Sequence, residues 1–80
     1  MVQESNIWTI ESPRALGAAL RSLRIRQGLT QEELASSLRT TRHRISRMER
    51  GEFSDQVLAL LEELKLLSAV LRVEGTDVRS

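Results

Sequence analysis

The sequence predicts an all-α domain of four helices with one strand added near the C-terminus. Three observations favour this fold. Serine or threonine precedes each stretch of apolar residues at helical spacing, as helix caps do. Glycine follows two of these stretches, where a helix would end. Near residue 66 the apolar period changes from helical to alternating, which is typical of a strand. At 80 residues the chain forms one small domain, whose limited core would gain from a second copy.

The first predicted elements are an extended segment and a helix. Residues 1–11 are predicted to form an extended N-terminal arm that includes a short strand around Trp8. Ser12 and Pro13 are typical of a helix start, with serine as the cap and proline at the first helical position. Leucines at helical spacing then continue until Gly28, which is expected to end the helix.

The stretch from Leu29 to Gly51 predicts two short helices joined by a tight turn. Thr30 is expected to cap the first of them, and Glu33, three residues on, completes a capping box. Thr41 caps the following helix, and Gly51 suits the left-handed residue that ends it. This spacing is that of a helix-turn-helix, whose second helix lies in the DNA major groove.

The second helix of this pair is rich in arginine on the side opposite its apolar residues. Ile45 and Met48 share one face with the cap Thr41. The polar residues that point away from this face or flank it are Arg42, His43, Arg44, Ser46, Arg47 and Arg50. A charge run alone usually marks a solvated surface, but a basic stripe on this helix is typical of DNA binding. We therefore interpret the stripe as a DNA-reading surface.

Charge is unevenly distributed along the chain, although the formal net charge is only +1. Residues 14–50 carry nine arginines against three glutamates, whereas residues 52–77 carry six acids against one lysine and one arginine. The basic part therefore suits phosphate as a partner, and the acidic part does not.

Other classes of protein find little support in the composition. The chain has no cysteine and one histidine, so disulfides and metal clusters are not expected. No nucleophile–base pair or phosphate loop indicates an enzyme or a cofactor. Nothing resembles a signal peptide or a membrane-spanning segment, which predicts a cytoplasmic protein with no membrane partner.

The C-terminal part of the sequence leaves alternatives open. Ser54 is predicted to cap a fourth helix, so that residues 12–65 form the helix-turn-helix domain. Residues 66–74 are interpreted as a strand that pairs either with residues 7–10 or with a second copy about a two-fold axis. Alternatively, this segment extends the fourth helix. We favour a dimerisation strand, followed by a flexible tail over residues 75–80. The apolar residues assigned to dimerisation are Leu67, Ala69, Val70, Leu71 and Val73.

The segments LTQEELA and ISRMERG resemble the Xre/Cro family of helix-turn-helix proteins, over Pro13 to Leu64. With the stretch SPRALGAALRSLRIRQGLTQEELA and the final LLSAVLRVE included, the chain most resembles HipB-like antitoxins. That resemblance implies a homodimeric repressor that binds a pseudo-palindromic operator, controls its own operon and neutralises a HipA-like kinase toxin. The alternative is a stand-alone small transcriptional regulator, of the restriction–modification controller or phage-repressor type.

The resemblance also implies roles for residues that contact DNA. Gln31 would hydrogen-bond a DNA phosphate, and Arg42–Arg44 would meet base edges in the major groove. Ser46 and Arg47 would contact bases or backbone, and Arg50 the backbone. Thr41, at the start of the same helix, is also counted among the DNA-binding residues.

Three further positions follow from the same resemblance. Arg24 and Glu49 would form a structural ion pair between the first and third helices. Arg39 occupies a turn position where the family often has glycine, and Thr40 stands where an apolar residue is usual. These two departures predict an altered turn, in which Arg39 would compensate by reaching a phosphate.

Overall fold

The computed structural model of the chain describes residues 6–76. The predictions for residues 1–5 of the N-terminal arm and 77–80 of the tail lie outside the described residues. The elements, in chain order, are β1 (Ile7–Ile10), α1 (Pro13–Arg26), α2 (Gln31–Ser37), α3 (Arg42–Glu49), α4 (Asp55–Leu66) and β2 (Leu71–Glu74). The predicted four-helix fold is confirmed. Within the described residues, no helix is both long and apolar enough to span a membrane.

Every helix begins where the sequence predicted a cap. A serine or threonine oxygen accepts a hydrogen bond from the backbone N–H of the third helical residue in each case. In α2 the Glu33 carboxylate also accepts from the Thr30 backbone N–H at 2.9 Å, which completes the capping box. The caps are Ser12, Thr30, Thr41 and Ser54.

All four helices of the described chain also end in the same backbone arrangement, the Schellman motif. In each, the residue after the C-cap has a positive φ and its N–H donates to a carbonyl of the last turn. The next N–H reaches one residue further back, as when Glu52 donates to the Arg47 carbonyl at 3.0 Å. The left-handed residues are Gly28 (φ 74°), Arg39 (57°), Gly51 (88°) and Ser68 (57°).

The core lies between the sheet, α1 and α4. Its buried members are Ile10, Ala19 and Leu61, with Trp8, Leu16, Val57, Leu71 and Val73 packed against them. A separate contact joins α1 to α3 at the buried Gly17, where an added Cβ would lie 2.6 Å from the Met48 carbonyl oxygen. Such close approach of two backbones fixes α3 relative to α1, and it positions the face that α3 presents outward.

The prediction of one strand over residues 66–74 is wrong in its first half. Leu66 ends α4, Ser68 adopts the left-handed turn, and β2 begins only at Leu71. β2 pairs antiparallel with β1, from Ile10 opposite Leu71 to Ile7 opposite Glu74. Of the two partners considered for this strand, the residues 7–10 segment of the same chain is the one observed, and β2 matches the four residues of β1 in length. An apolar run of this length does not by itself separate a helix end from a strand start.

Candidate nucleic-acid interface

The surface of α3 that faces away from the domain carries most of the polar residues of this helix. Ile45 is only 2% exposed and Met48 is half-buried, so these two side chains anchor the inward face. His43, Arg47 and Arg50 are exposed on the opposite side. The geometry of α3 therefore matches the amphipathic pattern of the sequence.

The first turn of α3 presents three side chains without partners. Arg42, His43 and Arg44 are exposed, and none of their side chains makes a hydrogen bond or ion pair with residues 6–76. Thr41, also exposed, is held by its capping bond to the Arg44 backbone N–H at 3.1 Å. An unpaired guanidinium at this place can donate two parallel hydrogen bonds to the O6 and N7 atoms of guanine.

The last turn of α3 differs, because its arginines are paired with an acid. Arg47 Nε lies 3.0 Å from Glu52 Oε1, and Arg50 Nε lies 3.2 Å from Glu52 Oε2. Arg50 Nη1 also donates to Ser46 Oγ at 2.9 Å. Hydrogen bonds from Arg50 and then Arg47 hold the pKa of Glu52 below its ordinary value, so its carboxylate stays ionised at neutral pH.

Sequence reasoning overlooked Glu52, although a signal for it existed. A glycine in the left-handed position turns the chain back, and the residue after it is then hydrogen-bonded over the last helical turn. Gly51 therefore places the side chain of residue 52 beside those of the two preceding arginines.

Beneath this surface, a buried ion pair ties α3 to α1. Arg24 donates from Nε to Glu49 Oε2 at 2.7 Å and from Nη2 to Oε1 at 3.1 Å. The two side chains are 10% and 4% exposed. Arg24 Nη1 also donates to the Leu29 carbonyl at 2.8 Å, which includes the α1–α2 turn in the network. The structure thus brings together the pair that the resemblance implied.

Both members of this pair stay charged. Burial raises the pKa of Glu49, but hydrogen bonds from Arg24 and Gln31 outweigh it, and the net pKa is below the ordinary 4.5. The pKa of Arg24 is raised, chiefly by its hydrogen bond to Glu49. Charged groups with so little exposure need an opposite charge and hydrogen bonds, and this pair supplies both.

Gln31 belongs to the same network. Its side-chain Nε2 donates to Glu49 Oε1 at 3.0 Å. An amide nitrogen carries two hydrogens, so one N–H remains for another acceptor. Its backbone N–H is also one of the N-terminal donors of α2 that lack an intrahelical acceptor. Phosphate binding by Gln31 is therefore compatible with its scaffold contact, and the two would be physically linked.

The turn between α2 and α3 keeps the geometry that glycine favours, although arginine occupies it. Arg39 has a φ of 57° and is exposed. The half-buried Thr40 donates its N–H to the Ala35 carbonyl at 2.9 Å and completes the Schellman motif. The turn thus adopts the left-handed geometry of glycine, while Leu38 beside it is left 60% exposed.

The residues assigned to dimerisation fall into two groups. Leu71 and Val73 point into the core of their own chain. Leu67 and Val70 are 68% and 66% exposed, and Ala69 is exposed between them. Leu66, at the end of α4, is 78% exposed and extends this apolar surface.

Two comparisons with known proteins identify relatives of this chain. A model of the family described as helix-turn-helix domain matches residues 15–79. The crystal structure of the clp gene regulator ClgR from C. glutamicum is 41% identical in sequence, with a TM-score of 0.50. The match covers 71% of this chain and 74% of that one. No curated protein matches the sequence.

Proposed function

Because the chain belongs to the helix-turn-helix domain family, we propose that it is a dimeric, sequence-specific DNA-binding regulator of transcription that reads DNA with α3. The observation that carries the proposal is the row of exposed side chains at Arg42, His43 and Arg44, which have no side-chain partner among residues 6–76. The Arg24–Glu49 pair connects their helix to α1, so the backbone of α3 is positioned within the domain before DNA binds.

In this proposal the first turn of α3 meets base edges and the surrounding residues meet phosphates. Gln31 and Arg39 flank α3 on its α2 side, and Arg47 and Arg50 follow the first turn along α3. Phosphate contacts fix the position of the protein on the duplex without reading sequence. Since each contact releases counterions from DNA, affinity should fall steeply as salt rises.

A second copy of the chain is the partner that the exposed apolar surface supports. Leu66, Leu67 and Val70 cluster where α4 ends and the chain approaches β2. Each strand of the described two-stranded sheet has one neighbour, so an edge stays open for a strand of the second copy. A two-fold dimer would place two α3 helices in successive major grooves, about 34–36 Å apart, on a pseudo-palindromic operator.

Two more specific functions are compatible with a DNA-binding regulator: an antitoxin and a stand-alone regulator. The antitoxin hypothesis, with a HipA-like kinase as the second partner, rests on the resemblance of the N-terminal part, the short fourth helix and the C-terminal strand to HipB-like antitoxins. That strand is engaged with β1 of its own chain here. The stand-alone regulator draws support from ClgR, which is described as a clp gene regulator. We therefore favour the stand-alone regulator.

The test is selection from a random duplex library, followed by titration of the selected and a scrambled duplex. Arg42→Ala and Arg44→Ala should each weaken binding to the selected duplex roughly tenfold or more, because a bidentate arginine–guanine contact is lost. Arg72→Ala removes an exposed arginine from β2 and is the matched control, expected to change little. Sedimentation of each variant checks that the dimer is retained. Equal loss in all three variants, or no enriched sequence, would overturn the proposal.

A further inference from the structure

The exposed arginines at the two ends of α3 differ in whether they form ion pairs. The first-turn arginines make no ion pair with residues 6–76, whereas Arg47 and Arg50 share the carboxylate of Glu52. The two guanidinium groups are held by different oxygens of one carboxylate, at 3.0 and 3.2 Å.

The backbone holds Glu52 in this place. Its N–H donates to the Arg47 carbonyl at 3.0 Å, and Gly51 in the left-handed conformation turns the chain to allow this bond. The backbone of Glu52 is therefore fixed beside the last turn of α3, within side-chain reach of both arginines. Its oxygens accept from the Nε–H groups of Arg47 and Arg50, the same charge-assisted donors that a phosphate oxygen would use.

We propose that Glu52 competes with DNA phosphates for Arg47 and Arg50, and so lowers the affinity of the protein for any duplex. This inference rests on the proposed function, because it assigns a role within the same surface. A phosphate that binds either arginine must displace the carboxylate or lie beside it. Displacement costs the existing ion pair, and a position beside the carboxylate costs like-charge repulsion. The penalty falls on phosphate contacts, so it leaves the discrimination by first-turn residues unchanged.

The opposite role, in which Glu52 helps binding by holding the arginines in position, is the weaker one physically. The side chains of Arg47 and Arg50 are 54% and 56% exposed, and that of Glu52 is 46% exposed. Exposed ion pairs of this kind order their side chains only slightly, since solvent screens them. Repulsion between the Glu52 carboxylate and DNA extends over about one Debye length, roughly 10 Å at 0.1 M salt, and so involves several phosphates. The ordering of side chains by the ion pair affects only Arg47 and Arg50.

Glu52→Gln tests the proposal, with Glu63→Gln as the matched control. Both substitutions remove one negative charge from an exposed glutamate, but Glu63 lies on α4 and has no ion-pair partner among the described residues. In fluorescence anisotropy at about 100 mM salt, Glu52→Gln should bind both the selected and the scrambled duplex roughly two- to tenfold more tightly. The gain should shrink as salt rises, and Glu63→Gln should remain near the parent protein.

NMR of the arginine Nε–H groups supplies a second readout that does not depend on affinity. The Arg47 and Arg50 signals should shift when Glu52→Gln is introduced, and they should shift again in the parent protein when DNA is added. Glu52→Gln that binds no better than Glu63→Gln, or binds more weakly, would overturn the proposal. If the parent protein binds neither duplex, the proposed function itself fails, and that outcome is distinct from a failure of Glu52 alone.

Discussion

Within residues 6–76, two helices end with a glycine in the left-handed conformation, and two end with the same backbone motif on another residue. α1 and α3 end on Gly28 and Gly51, whereas α2 and α4 end on Arg39 and Ser68, all with positive φ. Glycine is the residue that adopts this conformation without a steric penalty. A position can require glycine for two reasons: the backbone has a positive φ, or a neighbouring atom leaves no room for a Cβ. The four helix ends allow these two reasons to be separated.

The two glycines illustrate this separation. An added Cβ at Gly51 would lie 2.9 Å from the Arg14 Cα and 3.0 Å from its backbone nitrogen. At Gly28 an added Cβ would meet nothing within 4 Å. Of these two glycines, Gly51 alone is required for close packing. Gly51 also turns the chain so that Glu52 lies beside the last turn of α3.

The largest expected effect is the loss of stability in Gly51→Ala. The substitution adds a left-handed alanine and forces α3 away from α1, which together should lower the free energy of unfolding by about 3 kcal/mol. Gly28→Ala places alanine in a left-handed conformation with no neighbour to clash with, and should lower the free energy of unfolding by about 1 kcal/mol. This value includes the partial compensation that arises because alanine reduces the entropy of the unfolded chain. Urea denaturation followed by circular dichroism measures both.

The difference between the two variants is the informative quantity, since each carries the same φ penalty. Equal losses would mean that the contact between α1 and the end of α3 relaxes freely. A loss in Gly51→Ala that exceeds that of Gly28→Ala by about 2 kcal/mol would locate the packing constraint at this junction.

A smaller effect, with opposite signs on stability and binding, is expected for Arg39→Gly. Glycine relieves the left-handed arginine, and stability should rise by roughly 0.5–1 kcal/mol once the added freedom of the unfolded chain is subtracted. DNA binding should weaken several-fold, and the slope of log affinity against log salt should fall by about one, because one phosphate contact is lost. Arg39→Lys is the control that keeps both the charge and the strain. Unchanged binding in Arg39→Gly would remove Arg39 from the proposed interface.

Local chemistry explains why much of the fold could be predicted from sequence. The caps at Ser12, Thr30, Thr41 and Ser54 depend on a hydroxyl three residues before a backbone N–H, and that spacing is visible in the sequence. The outward face of α3 follows equally from helical periodicity.

The parts that could not be predicted are contacts between distant segments. The register of β2 on β1 joins residues more than sixty positions apart, and no local pattern chooses between β1 and a second copy. The bond from Gln31 to Glu49 depends likewise on how α2 packs against α3. The apolar run after residue 65 misled because a helix end, a turn and a strand follow one another within it.

Ser68→Gly should have the smallest effect of these variants. It makes the same kind of change as Arg39→Gly, at the end of α4 and not of α2. Ser68 has the same φ of 57° and the same pair of backbone bonds, from its own N–H to Lys65 and from Ala69 to Leu64. Stability should therefore rise by a similar amount, roughly 0.5 kcal/mol. Ser68 lies outside the proposed DNA surface but between residues of the proposed dimer surface, so sedimentation first checks that the dimer is retained. With the dimer intact, DNA affinity and its salt dependence should stay at the parent values. If both glycine variants weakened DNA binding equally, the loss in Arg39→Gly would come from the backbone of a helix end and not from the arginine side chain.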